Sequence, residues 1–425
     1  MSVVQSLDAL EILDSRGRPT LQVMCMLTSG VHGIASVPSG ASTGSAEAHE
    51  LRDGDPGRYG GLGCRRAVQN VRETLHEALR GIEFADQRAL DERLIQLDGH
   101  PNKANLGANA LLGISLAFAR ARAAEQNVPL YRYFAQFDVI AAPSLPRLTI
   151  NLFSGGRHAG GQVAVQDVLM VPLAATIEES LEDAYAVYQA AAELIQDKYG
   201  MRALTADEGG LAPAFPEDEA MLIDAMQAID NAGMIPGKDM ALAIDVASSH
   251  FYRDGRYHLS GQRFDSEAMI DQLLAWANRY PLISIEDGLA EDDWTYWPML
   301  CANLPHTTRA LGDDLLCTNP ARIQHAVDAH AANALLLKVN QIGTLTEAFA
   351  ARSIAHSAGW QVVVSARSGE TEDHWLADLA VGWGGDYLKV GSITQSERLA
   401  KYNRLLAIEA QTGLVIKDMR AADSF

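Results

Sequence analysis

Six charged residues stand at the ends of short apolar runs in the C-terminal two-thirds of the chain. Asp245 closes Ala241-Leu-Ala-Ile244, Glu286 closes Pro281-Leu-Ile-Ser-Ile285, and Asp313 follows Ala310-Leu-Gly312. Lys338 closes Ala334-Leu-Leu-Leu337, Arg367 follows Val362-Val-Val-Ser-Ala366, and Lys389 follows Tyr387-Leu388. The intervals are 41, 27, 25, 29 and 22 residues, mostly one strand-plus-helix unit. Charge recurring at the C-terminal ends of successive parallel strands is how a (β/α) barrel assembles a reaction centre. Three carboxylates with no His or Cys beside them suit a hard cation such as Mg²⁺. The three cations that follow suit an anionic substrate.

Lys338, directly after three leucines, is expected to be partly buried. Burial and neighbouring positive charge favour a neutral amine, which can act as a base. Thr205-Ala-Asp-Glu-Gly-Gly-Leu-Ala-Pro213 is a tight glycine-rich segment. It either thrusts Glu208 inward as a general acid for a departing hydroxyl or is a surface turn. Pro38-Ser-Gly-Ala-Ser-Thr-Gly44 is a lid that supplies a metal ligand or a plain flexible loop; it is no Walker A motif. Arg367 and Ser368 precede an acidic stretch. Arginine suits bidentate phosphate binding, and a following helix could add its N-terminal dipole.

The 425 residues predict two domains, and 48% hydrophobic with 21% charged residues is ordinary globular composition. A formal charge of −20 argues against nucleic-acid or anionic-membrane partners, which need clustered Lys and Arg. No apolar run approaches a membrane-spanning length, and Met1–Ser6 lacks the basic and apolar regions of a signal peptide. A cytoplasmic location is the expectation. Cys25, Cys64, Cys301 and Cys317 lack CxxC spacing and are expected to be reduced thiols.

The fold class expected is α/β: a modified (β/α)₈ barrel with an N-terminal α+β lid domain. Residues 1–138 open with strand-like Leu21–Met26 and Val31–Val37, then turn helical at 64–81 and 108–124. The boundary falls at Ala142–Pro146, which makes 139–425 the barrel. There, 177–199 and 217–232 read as helices, and from 241 the alternation of strand and helix is regular.

From Ile12-Leu-Asp-Ser-Arg-Gly17 to Glu397-Arg-Leu-Ala-Lys-Tyr-Asn403 the chain resembles the enolase family. Pro-Ser-Gly-Ala-Ser-Thr-Gly, Asp-Glu-Gly-Gly, Ser-Ile-Glu-Asp-Gly, Leu-Lys-Val-Asn-Gln-Ile-Gly and Arg-Ser-Gly-Glu-Thr-Glu-Asp carry the resemblance in order. It implies two Mg²⁺ per active site and reversible dehydration of 2-phosphoglycerate, a small anionic phospho-carboxylate, through a metal-stabilised enolate. Asp245, Glu286 and Asp313 match ligands of the first Mg²⁺, and Ser42 a ligand of the second. Lys338 matches the base, Glu208 the acid, Arg367 and Ser368 the phosphate binders, and Lys389 a carboxylate-side cation. Gln166 and His158 match the polar wall. A homodimer or higher homo-oligomer is implied as well.

Three positions depart from the family pattern. Ala366 stands where His is usual, Asp167 where Glu is usual, and Ser154 where Asn is usual. A lost imidazole removes a charge-assisted bond worth about 1.5–3 kcal/mol. Asp167 is one methylene shorter than Glu, so its contacts to the acid or leaving hydroxyl must be remade. These changes question the substrate more than the chemistry. They admit a family paralogue acting on another phospho- or phosphono-carboxylate, such as a carboxyphosphonoenolpyruvate synthase. Gln22 and Ala407 replace Glu and Arg associated with subunit contact, which implies a repacked interface. The C-terminal Phe425 lacks the lysine used by plasminogen-capturing relatives.

Overall fold

The computed structural model describes residues 2–41, 44–138 and 142–417. Its N-terminal part is a sheet in the order β3-β2-β1-β4, formed by β1 (Ser2–Leu13), β2 (Pro19–Leu27), β3 (His32–Ser36) and β4 (Glu83–Phe84). In β2 the alternate residues Leu21, Val23, Cys25 and Leu27 are buried, the period-2 pattern of a half-covered strand. The longest strand, β1, escaped the sequence reading. A bulge between Val4 and Ser6 breaks its alternation.

The helix Ala108–Glu125 lies across β2 and β3 and is buried on nearly every side. Its backbone comes so close that a Cβ at Gly33 would sit 2.1 Å from the Ala117 carbonyl oxygen. The expected helix at 64–81 runs from Arg65 to Leu79, with a wider turn at Val71–Leu75, and buries Val68, Val71, Leu75 and Leu79.

The second part is a closed eight-stranded barrel. Its strands are β5 (Arg147–Ser154), β6 (Asp167–Pro172), β7 (Met240–Asp245), β11 (Leu282–Glu286), β12 (Arg309–Gly312), β13 (Ala334–Leu337), β14 (Gln361–Ser365) and β15 (Tyr387–Gly391). All neighbours pair in parallel except β6, which is antiparallel to both β5 and β7. The helices Ile177–Tyr199 and Asp218–Asn231 therefore follow the β5–β6 pair consecutively. The reversal brings the first residue of β6, Asp167, to the end of the barrel where the other strands finish, in register with Asp245.

The expected regular alternation after 241 is interrupted. A small meander of β8 (Tyr252–Arg253), β9 (Arg256–Leu259) and β10 (Gln262–Phe264) follows β7. It accounts for the long 41-residue interval between Asp245 and Glu286.

The N-terminal part is clamped over the C-terminal end of the barrel. Ser39 and Gly369 exchange backbone hydrogen bonds at 2.8 and 2.9 Å. Asp373 accepts from Ser36 N at 2.8 Å and pairs with Arg120. Nearly buried Lys103 reaches Glu347 at 2.5 Å. Ser42 lies outside the described residues.

Gly33→Ala forces the helix Ala108–Glu125 off its sheet. Urea unfolding should show a loss of about 1–3 kcal/mol, the usual range for overpacking. Unchanged stability would mean that the helix shifts freely.

Candidate active site

Each strand end delivers one charged group to the same mouth. Asp245 ends β7, Glu286 ends β11, Asp313 follows β12, Lys338 follows β13, Arg367 and Ser368 follow β14, and Lys389 lies within β15. All are buried or nearly so. Gln166 precedes the reversed β6 and donates to Asp245 Oδ2 at 3.0 Å. Glu208 comes in from the loop between the two consecutive helices. Its neighbour Gly209 has φ of +86°, and a Cβ there would meet Thr394 Oγ1 at 2.5 Å. Only glycine permits this path, which buries Glu208 and leaves Asp207 outside.

The carboxylates and cations neutralise one another. Lys389 Nζ donates to Glu286 Oε2 at 2.7 Å and Asp245 Oδ2 at 3.2 Å. Lys338 donates to Asp313 Oδ2, whose other oxygen accepts from Gln341 at 2.8 Å. Burial pushes the Lys338 pKa down, but the charge of Asp313 outweighs it and the net shift is upward. Asp313 thus works against the neutral lysine expected from burial. The partner carboxylate, 25 residues earlier in sequence, holds the proton on it.

Glu286 is poorly compensated. Burial and then the charge of Asp245 push its pKa well up, and its Oε1 is buried with no hydrogen-bond partner. An orphaned carboxylate oxygen beside two more acids, with oxygen ligands only, fits a hard divalent cation. Asp245, Glu286 and Asp313 are the residues that would hold it. Asp287 braces them from behind. Its two oxygens accept from Asp313 N at 2.9 Å and Asp314 N at 2.8 Å, and Asp287, Asp313 and Asp314 form one tight acidic group.

On the opposite wall, His158 Nδ1 lies 3.1 Å from Asp167 Oδ2, and Ser154 Oγ donates to Asp167 Oδ1 at 2.6 Å. Two of the three departures from the family pattern are therefore one hydrogen-bonded pair. The shorter acid is remade into a contact by the hydroxyl opposite it. Asn151 donates to Glu208 at 3.1 Å, and His158, Asp167 and Glu208 have ligand atoms within 4.8 Å of one another. Burial opposes charge on His158, yet Asp167 and Glu208 raise its pKa to about 9. Burial likewise opposes charge on Glu208, but His158, Arg398, Lys389 and Lys338 bring it down to about 2. The imidazole is charged and Glu208 is ionised.

Arg367 is engaged by a residue the sequence reading missed. Glu47 grips it in a fork, Oε2 to Nη1 at 3.0 Å and Oε1 to Nη2 at 3.1 Å. The residues are 320 positions apart, so no local pattern announces the pair. Arg16, within Ile12–Gly17, donates to Ser368 Oγ at 3.0 Å. Fully buried Arg398 holds the Arg367 and Ser368 carbonyls at 2.7 and 2.6 Å. The expected helix dipole at Ser368 is absent. The next helix starts at Trp375, whose N–H bonds to Asp373 at 3.3 Å. Ala366 is buried and brings no imidazole.

A barrel with acids at neighbouring strand ends, a lysine facing them and a second acid group across the mouth belongs to the class that abstracts a proton beside a carboxylate. The family model for the enolase N-terminal domain matches residues 4–134, and that for the enolase C-terminal TIM barrel domain matches residues 142–419. The chain belongs to the enolase family and is a lyase of the enolase superfamily, a family that uses Mg²⁺.

Two histidines should titrate on opposite sides of the ordinary value near 6.5. With EDTA present, NMR should show His158 titrating near 9 and His250 near 4, the latter pushed down by burial and by Arg157. His158 is raised, so its stabilising contribution is whole below pH 6.5 and fades as pH rises through 9. His250 is lowered, so its contribution is whole above 6.5 and fades as pH falls through 4. Two histidines both titrating near 6.5 would contradict these surroundings.

Proposed function

We propose that this lyase is Mg²⁺-dependent and interconverts 2-phosphoglycerate and phosphoenolpyruvate, the glycolytic reaction, in the cytoplasm and as a homodimer or higher homo-oligomer. The observation that carries the reading is the orphaned Glu286 oxygen within a ring of buried acids that faces Lys338. Gln166 Oε1 and Asn151 Oδ1 are also buried and unpartnered, and offer acceptors for substrate hydroxyls.

In this reading Asp245, Glu286 and Asp313 would hold one Mg²⁺, and Ser42 would hold a second. When bound, the Mg²⁺ would supply positive charge against the negative charge that builds on the substrate carboxylate. With that cation taking up the charge of Asp313, Lys338 would be released from it, lose its own proton to solvent and accept the substrate's. Glu208 guides to the departing hydroxyl a proton held by His158, which Asp167 orients. Arg367 and Ser368 bind the phosphate once Glu47 yields, and Lys389 steadies the carboxylate.

Ala366 and the Ser154–Asp167 pair support a second reading: the same chemistry on another phospho- or phosphono-carboxylate. Incubation with Mg²⁺ and 2-phosphoglycerate, followed by phosphoenolpyruvate absorbance with an EDTA control, separates them. Fast, EDTA-sensitive turnover supports the first reading. Its absence in protein that binds Mg²⁺ supports the second, and phosphonate analogues should then react.

On the substrate that turns over, Lys338→Ala and Glu208→Gln should each lower kcat by about 10²–10⁴-fold, the usual share of a proton-transfer group. Unchanged rates would remove both assignments.

A further inference from the structure

A cavity of about 520 Å³ opens beside the active centre, between the loop that carries His158 and the meander after β7. Four basic side chains line it: Arg157, His250, Arg253 and His258. In the active centre Lys338, Lys389 and Arg367 are all spent on carboxylates. Here the basic groups are not. Among the described residues, Arg157 and Arg253 form no ion pair or hydrogen bond through their guanidinium groups, and the His258 ring has no hydrogen bond. His250 Nδ1 is buried and has no partner.

Two acids share the cavity wall. Asp218 is already consumed: its oxygens accept from Ala164 N at 2.6 Å, Val165 N at 2.8 Å, Ser260 N at 3.0 Å and Ser260 Oγ at 2.6 Å. It ties the His158 loop to the meander and so fixes the distance between the two sides of the cavity. Glu217 is exposed at the start of the helix Asp218–Asn231. Neither acid pairs with either arginine.

We propose that this cavity is a second anion-binding site, in which Arg157 and Arg253 grip a phosphate or carboxylate group and His250 and His258 hydrogen-bond to it. In a chain of charge −20, two unpaired guanidinium groups facing one concavity are a local reversal of the field. Guanidinium forks match such oxyanions in two-point geometry. The site adjoins the reaction centre, since Gly156 and Arg157 run directly into His158 and the centre's charges act on His250. The anion is either a separate small ion or, under the second reading above, the far end of a substrate larger than 2-phosphoglycerate.

Calorimetric titration with inorganic phosphate, in EDTA, tests the site without turnover, so its result stands whether or not the lyase reading does. Arg157→Gln/Arg253→Gln should weaken phosphate binding at least tenfold against the wild type. Arg65→Gln/Arg66→Gln, which removes two exposed cations elsewhere, should leave it unchanged. His250→Phe, which keeps the ring but not Nδ1, should weaken binding several-fold. Equal phosphate affinity in the wild type and the Arg157/Arg253 double variant would overturn the proposal, as would equal loss in the Arg65/Arg66 control. Steady-state kinetics then distinguishes the sources. A raised KM at constant kcat in the Arg157/Arg253 variant identifies the substrate's own far end. An unchanged KM with lost phosphate binding identifies a separate ion.

Discussion

Three buried carboxylates share two ammonium groups at one end of the barrel, and much else in the molecule serves that imbalance. Removing charges from water costs several kcal/mol per ion, and a buried pair repays this only with good geometry and further hydrogen bonds. Gln166, Gln341 and Lys389 supply such bonds to Asp245, Asp313 and Glu286. One Glu286 oxygen is left over. A fold built for stability alone would not keep that oxygen buried. A divalent cation would give it a partner.

The reversal of β6 is the topological device that completes the site. A strand running with the others would deliver its last residue to the mouth. Running against them, β6 delivers Asp167 and the preceding Gln166, one to each side of the pocket. The same stretch thus serves both Asp245 and the His158–Glu208 cluster. The clamped N-terminal part closes the mouth from above and places Glu47 on Arg367 and Arg16 on Ser368.

The strand-end charges were legible because an apolar run followed by one charged residue is a local signal, and the helices at 108–125 and 177–199 were legible by length. β1 was not, because its bulge shifts the alternation. The direction of β6 was invisible, since both directions bury Val168 to Val171 alike. Ser154 and Asp167 stood out singly, but their hydrogen bond depends on the β5–β6 register. The ion pair of Lys338 was not legible for a related reason: its partner Asp313 follows the neighbouring strand. Local chemistry is readable in sequence, whereas pairing between strands is a property of the closed barrel.

Calorimetric titration of Mg²⁺ into the wild type and into Glu286→Gln tests the central claim most directly, with circular dichroism to verify the fold of each. The account predicts Mg²⁺ binding to the wild type, at least 100-fold weaker in the variant, because the buried carboxylate supplies charge that an amide cannot. Equal Mg²⁺ affinity in the two proteins, or none in the wild type, would contradict it.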